Sequence, residues 1–225
     1  RRVLLWFMAW NSEGLPAEEC VTLWGQPVGA DPTHPAYRER IGSVMQTLLS
    51  SDAGCYNCDG FKIDFANVMP LGRDLSIYRK GVYGIELLKE MFLLLHHEAK
   101  RVKAEALINC SCAHPYFAEV TDQARLHDYY WGLRSAKSMM KYRADLFRAA
   151  MPDVLIDTDG VISTKRETME YLRYAPQLGV PALYTLTGSA DVRFSEEDWE
   201  EVRRIWRAYV ARTAACPADS VGRAP

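Results

Sequence analysis

Strand-length apolar runs alternate with amphipathic helical stretches along most of this 225-residue chain, and that alternation restricts its possible folds more than any other feature. Val3–Ala9, rich in Leu, Val, Trp and Phe, reads as a buried strand. Pro35 suits the first turn of a helix running to about Ser50. Asp59–Phe65 alternates apolar and polar residues with the period of a strand. A loop from Ala66 to Lys80 then leads to a helix ending near Lys103. Further strands are expected at Ala104–Ser111, Gln123–Asp128, Val154–Thr158 and Pro181–Leu186. Helices are expected at His114–Val120, Trp131–Ala150, from Thr164 to about Leu178, and from Ser195 to about Thr213. The last two open with the capping boxes Thr164-Lys165-Arg166-Glu167 and Ser195-Glu196-Glu197-Asp198.

Six strand-plus-helix units of this kind imply parallel strands covered by helices. A doubly wound sheet and a barrel both satisfy the pattern. Polar residues gathered just past the strand ends (Asp64, Asn109, Asp128, Asp157 and Asp159) favour the barrel, whose active sites form there. A nucleotide-binding sheet would carry a Gly-rich loop after its first strand, and none is present. The expected fold is an α/β (β/α)8 TIM barrel truncated to about strands three to eight. It would occupy residues 1–213, and residues 214–225, small and polar, would form a disordered tail. The opening Arg1-Arg2, set directly on an apolar run without an initiator Met, reads as the interior of a longer protein.

Composition closes off several function classes. A net charge of −2 with mixed signs offers no basic footprint for nucleic acid. The longest apolar run, Met91–Leu95, is too short to cross a bilayer, and no secretory signal is visible in this piece, which leaves the location open with the cytoplasm slightly favoured. Six cysteines do not make a disulfide scaffold in a chain of this length. Cys55/Cys58 and Cys110/Cys112 could together hold zinc, but the second pair lacks finger-like spacing, and reduced, unlinked thiols are the expectation. The histidines show no metal-binding spacing, so neither metal nor cofactor is expected.

Lys62 and Asp64 share one strand face, where each favours the other's charge. The alternative is a structural ion pair. Asp64 and Asp128 end strands two units apart, and a pair of carboxylates across a barrel mouth is what glycoside hydrolysis requires. One attacks the anomeric carbon while the other protonates the departing oxygen and then activates water. Asp128 has a helix N-cap as its structural alternative. Trp6 and Trp10 are the candidate platforms for a sugar ring.

Phe61-Lys62-Ile63-Asp64-Phe65 resembles the nucleophile strand of the clan holding glycoside hydrolase families 31 and 36, the retaining α-glucosidases, α-xylosidases and α-galactosidases. Leu5-Trp6 through Trp10 is similar to that clan's third barrel strand, and Asp31-Pro32, the helix from Pro35 and Asp59-Gly60 follow its usual order. Asn109-Cys110-Ser111 sits where family 36 carries a Cys-Ser pair. Arg125 to Asp128 sits where both families end strand six in the acid/base aspartate, and Asp157-Thr158-Asp159-Gly160 resembles a turn of family 31. The resemblance spans about residues 3–190. It implies a retaining α-glycosidase with Asp64 as nucleophile and Asp128 as acid/base. The substrate-binding set would be Lys62, Trp6, Trp10, Asn109, Cys110, Arg125, His127 and Asp157. It implies an oligosaccharide or glycoside substrate, no nucleic acid or membrane partner, no cofactor, and leaves the oligomeric state open. His127 departs from the small or acidic residue usual beside the acid/base, which makes Asp122 a fallback acid. A non-catalytic carbohydrate-binding barrel and a zinc module are the competing readings.

Overall fold

The structure, a computed structural model, describes residues 2–112, 114–129, 134–162, 164–182 and 193–215. It divides into two compact units, Arg1–Cys112 with Tyr116–Asp122, and Ala113–Pro115 with Gln123–Pro225.

The first unit carries three parallel strands, β1 (Leu4–Phe7), β4 (Gly60–Ile63) and β6 (Leu107–Cys110), in the order β1-β4-β6. Helices α1 (Pro35–Leu49) and α2 (Ile85–Val102) make the crossovers between them. Pleating sends Phe61, Ile63, Ile108 and Cys110 to one face, where they share a core with Ile41 and Met45 of α1 and Leu87, Met91 and Leu95 of α2. Burying each large apolar side chain there contributes about 1.5–3 kcal/mol. Both helices therefore cover the same face. The opposite face is left to Trp6, Lys62 and Asn109, which lie side by side in register across the three strands.

Lys100, in the last turn of α2, donates to Ala106 O (2.7 Å) and to Asp122 Oδ2 (2.8 Å). Asp122 Oδ2 also accepts the Ile108 amide at 2.8 Å, so this carboxylate ties the entry of β6 to α2. A second, antiparallel sheet, β3-β2-β5, joins β2 (Cys20–Leu23), β3 (Gln26–Ala30) and β5 (Leu75–Ser76). The sequence places β5 within the expected Ala66–Lys80 loop and suggests no element for β2 or β3. The hairpin turn is Trp24-Gly25 with both residues at positive φ, and a tryptophan there hides the Asn-Gly signal such turns usually show.

Gly60 starts β4 at φ +148°, and a Cβ on it would lie 2.0 Å from Leu107 O of the neighbouring strand. No side chain fits at that approach. Gly60→Ala is expected to cost about 3 kcal/mol or more, seen as a fall of roughly 6–12 °C in the thermal unfolding midpoint.

The second unit pairs β7 (Gln123–Arg125) with β8 (Leu155–Asp157) in parallel, giving five parallel strands in all, three in the first unit and two in the second. Its helices are α3 (Ala136–Ala150), α4 (Lys165–Leu178) and α5 (Glu196–Ala214). Ser195 and Asp198 form the expected reciprocal capping box, and the Thr164 hydroxyl accepts the Glu167 amide. The last carbonyls of α4 are taken up by arginines of the adjoining helices. Arg148 donates to Gln177 O and Leu178 O (2.9 and 2.8 Å) and Arg212 to Pro176 O (2.6 Å). Beyond α4, Val180 pairs in parallel with Asp157. Most of the strand expected at Pro181–Leu186, the start of the helix expected from Trp131, and residues 216–225 of the expected tail lie outside the described residues. No helix among the described residues is long and apolar enough to cross a membrane.

Candidate active site

At its C-terminal end β4 stops at Ile63, two residues sooner than its alternation suggests. The Asp64 amide still donates to Phe7 O of β1 at 3.0 Å, but Phe65 turns into the left-handed region at φ 56°, ψ 33°. That conformation is costly for a bulky residue, and such strain concentrates at functional sites. The Phe65 N–H donates to Asp64 Oδ1 (3.0 Å), while Trp6 Nε1–H donates to Asp64 Oδ2 (3.1 Å). The carboxylate is 7% exposed and both its oxygens accept hydrogen bonds. Trp6 itself is 55% exposed and meets Phe65 edge-on, with ring centroids 6.0 Å apart.

Lys62 sits between Trp6 and Asn109 on the same sheet face, two residues before Asp64, and this row forms the base of the candidate site in the first unit. Two expected members fall elsewhere. Trp10 is 2% exposed and packs edge-on against Phe92 of α2, so it has no open face on which a sugar could stack. Cys110 has the opposite pleat parity to Asn109 and points into the core beneath the helices, at 1% exposure. One residue of register separates a site position from a core position in a strand, and Cys110 falls on the core side, while Trp10 lies beyond the end of β1.

Burial pushes the Cys110 thiol up to about 12, leaving almost no thiolate. Native-state alkylation at pH 8, read by peptide mass spectrometry, is expected to modify the partly exposed Cys55 while leaving Cys110 intact. Among the described residues no group of three or more His, Cys, Asp or Glu side chains could hold a metal ion, and Cys55, Cys58, Cys110 and Cys112 are free thiols.

In the second unit, Arg125 ends β7 beside Asp157 of β8 and is 3% exposed. Its guanidinium reaches Asp128 Oδ1 at 2.7 Å and Asp159 Oδ2 at 3.1 Å. Asp128 Oδ1 also accepts the Val161 amide (2.9 Å), and Asp157 Oδ1 accepts the amide of Asp159 (2.9 Å). His127 turns the chain at φ 67°, its side chain exposed, so the β7 strand ends at Arg125 and not at Asp128. Histidine tolerates that conformation better than most residues.

Arg143 of α3 braces the turn from below. Its Nη1 donates to the carbonyls of Leu126 (2.8 Å), His127 (3.0 Å) and Asp128 (3.1 Å). Gly160 lets the two loops meet, since a Cβ there would lie 2.7 Å from His127 O. Arg125, His127, Asp128 and Asp157 are thus brought together. Arg143 is absent from the sequence-derived set because a cation on a helix gives no local sign that it will bind a loop from another element. Asp122, the fallback acid, is committed to Lys100 and Ile108 as described above.

Fold and sites together define an α/β protein whose parallel strands end in buried or half-buried carboxylates. No protein-family model and no curated protein sequence matches the chain. Among solved structures it is similar to a cycloalternan-forming enzyme of Listeria monocytogenes in complex with a pentasaccharide substrate (TM-score 0.59, 15% identity, 93% of this chain covered). It is also similar to the Listeria monocytogenes protein lmo2446 in complex with α-D-glucose, β-D-glucose, magnesium and calcium (TM-score 0.58, 18% identity, 92% covered). The chain spans 23% of the length of each. At these identities the likeness shows the shared fold.

Proposed function

We propose that the chain carries the greater part of a (β/α)8 catalytic barrel, about strands three to eight, of a retaining α-glycosidase acting on terminal α-linked sugars. Asp64 is the nucleophile and Asp128 the acid/base. The reading rests above all on Asp64, a largely buried carboxylate at a parallel strand end, held by two N–H donors beside a strained residue. The face opposite α1 and α2 carries Trp6, Lys62 and Asn109, whereas a doubly wound sheet is covered and apolar on both faces, and this supports a barrel. The two Listeria proteins, solved with a pentasaccharide and with glucose, support a carbohydrate substrate.

In the proposed reaction a carboxylate oxygen of Asp64 bonds to the anomeric carbon as the C–O bond to the leaving group breaks. The bonding pair departs with that oxygen, which takes a proton from Asp128. Water then displaces Asp64 after giving its proton to Asp128. Trp6 and Lys62 line the sugar subsite, with Asn109 beside them. Arg125, His127 and Asp157 support the acid/base loop. The test is a mechanism-based inactivator on the intact enzyme, with peptide mapping of the labelled carboxylate. A label on Asp64 supports the reading, and a label on any other residue overturns it.

A second reading, a non-catalytic carbohydrate-binding barrel, is favoured by one observation. Asp128 Oδ1 takes both Arg125 and the Val161 amide, an arrangement that suffices to staple two loops. Binding of the sugar with no covalent labelling under any condition would establish it.

A further inference from the structure

We propose that Trp6 is a positioning residue for Asp64, acting through its indole N–H rather than through ring stacking alone; this rests on the reading of Asp64 as nucleophile. Three observations within the first unit carry it. Trp6 Nε1 donates to Asp64 Oδ2 at 3.1 Å, linking the end of β1 to the residue after β4. The Phe65 amide donates to the other oxygen, Oδ1, at 3.0 Å, and does so from a left-handed backbone. The Phe65 ring, 47% exposed, meets the Trp6 ring at an interplanar angle of 80° and so limits how the indole can turn.

The geometry has a mechanical consequence. A carboxylate rotates about its Cβ–Cγ bond, and one donor leaves that rotation soft. Two donors on different oxygens, one from the carboxylate's own chain and one from the neighbouring strand, set its plane. The same N–H also favours the charged carboxylate over the carboxylic acid, so its removal moves protonation to higher pH. A platform that merely stacks on sugar has neither effect.

The experiment compares the intact enzyme with Trp6→Phe, which keeps an aromatic face and the edge contact with Phe65 but has no N–H. A second variant carries β-(3-benzothienyl)alanine at position 6, an isostere of tryptophan with sulfur in place of the N–H. Asp64 is first established as the labelled carboxylate in the unmodified enzyme. Both variants are then expected to lose roughly 10–100-fold in kcat and in the rate of Asp64 labelling, with KM nearly unchanged, as for a hydrogen bond to a charged group. The acid limb of the kcat/KM profile is expected to move to higher pH.

A raised KM with unaltered kcat, labelling rate and pH profile would make Trp6 a platform only and overturn the proposal. A fall in thermal unfolding midpoint without a moved acid limb would make it a structural residue and do the same. A label found on another carboxylate overturns the nucleophile reading itself, and the two failures are thereby distinct. Since the isostere preserves shape, a folding defect confined to Trp6→Phe leaves the benzothienyl variant to decide.

Discussion

Asp64→Asn is expected to lower kcat for α-glycoside hydrolysis by roughly 10⁴-fold or more, because no covalent glycosyl-enzyme can form without the carboxylate. The amide also disturbs the surroundings in a defined way. Asp64 accepts N–H donors on both oxygens, and an Asn side chain presents an NH₂ group to one of them. That donor–donor contact costs about 1–3 kcal/mol, so a modest fall in thermal midpoint should accompany the kinetic loss. Asp64→Gly removes the carboxylate and opens room for a small anion. Added azide is then expected to restore turnover of an activated aryl α-glycoside and to yield the β-glycosyl azide, since the azide replaces the nucleophile on its own face of the sugar. Full turnover by Asp64→Asn, or an azide product of α configuration, would refute the assignment.

Asp128→Asn is expected to separate substrates by leaving group. Aryl α-glycosides with acidic phenols need little protonation and should lose less than about tenfold in the glycosylation step. Unactivated α-glycosides should lose roughly 10²–10⁴-fold. Asparagine is the better replacement than alanine for a structural reason. The Arg125 guanidinium and the Val161 amide both donate to Oδ1, an acceptor that asparagine retains. Alanine would instead weaken a turn on which Arg125, 3% exposed, depends for a carboxylate partner. Equal losses on good and poor leaving groups would remove Asp128 from acid/base work and favour the loop-stapling role.

Much of the strand and helix order was legible in the chain because apolar periodicity reports directly on which face of an element is buried. The helix from Pro35 and the capping box at Ser195 were found where local chemistry placed them. Failures arose where tertiary contact overrides local pattern. The Trp24-Gly25 hairpin escaped because its turn residue is atypical. Trp10 was assigned to the sugar side because residue type marks a candidate without saying which way it points, and Cys110 because the resemblance carried it there. Strands β4 and β7 were expected to run through Phe65 and to Asp128, but positive φ at Phe65 and His127 ends the regular extended backbone sooner, and no apolar count reveals a single reversed dihedral.

What the sequence determined by itself is therefore the α/β class, the parallel strands and the place of Asp64 at the end of one of them, all consequences of periodicity and spacing along one chain. Only the tertiary structure decided what each carboxylate touches. It put Trp6 and the Phe65 amide on Asp64, set Arg125 between Asp128 and Asp159, and placed Arg143 under the turn. Those contacts join residues up to 58 positions apart, and hydrogen bonds require separations near 3 Å that packing alone brings about.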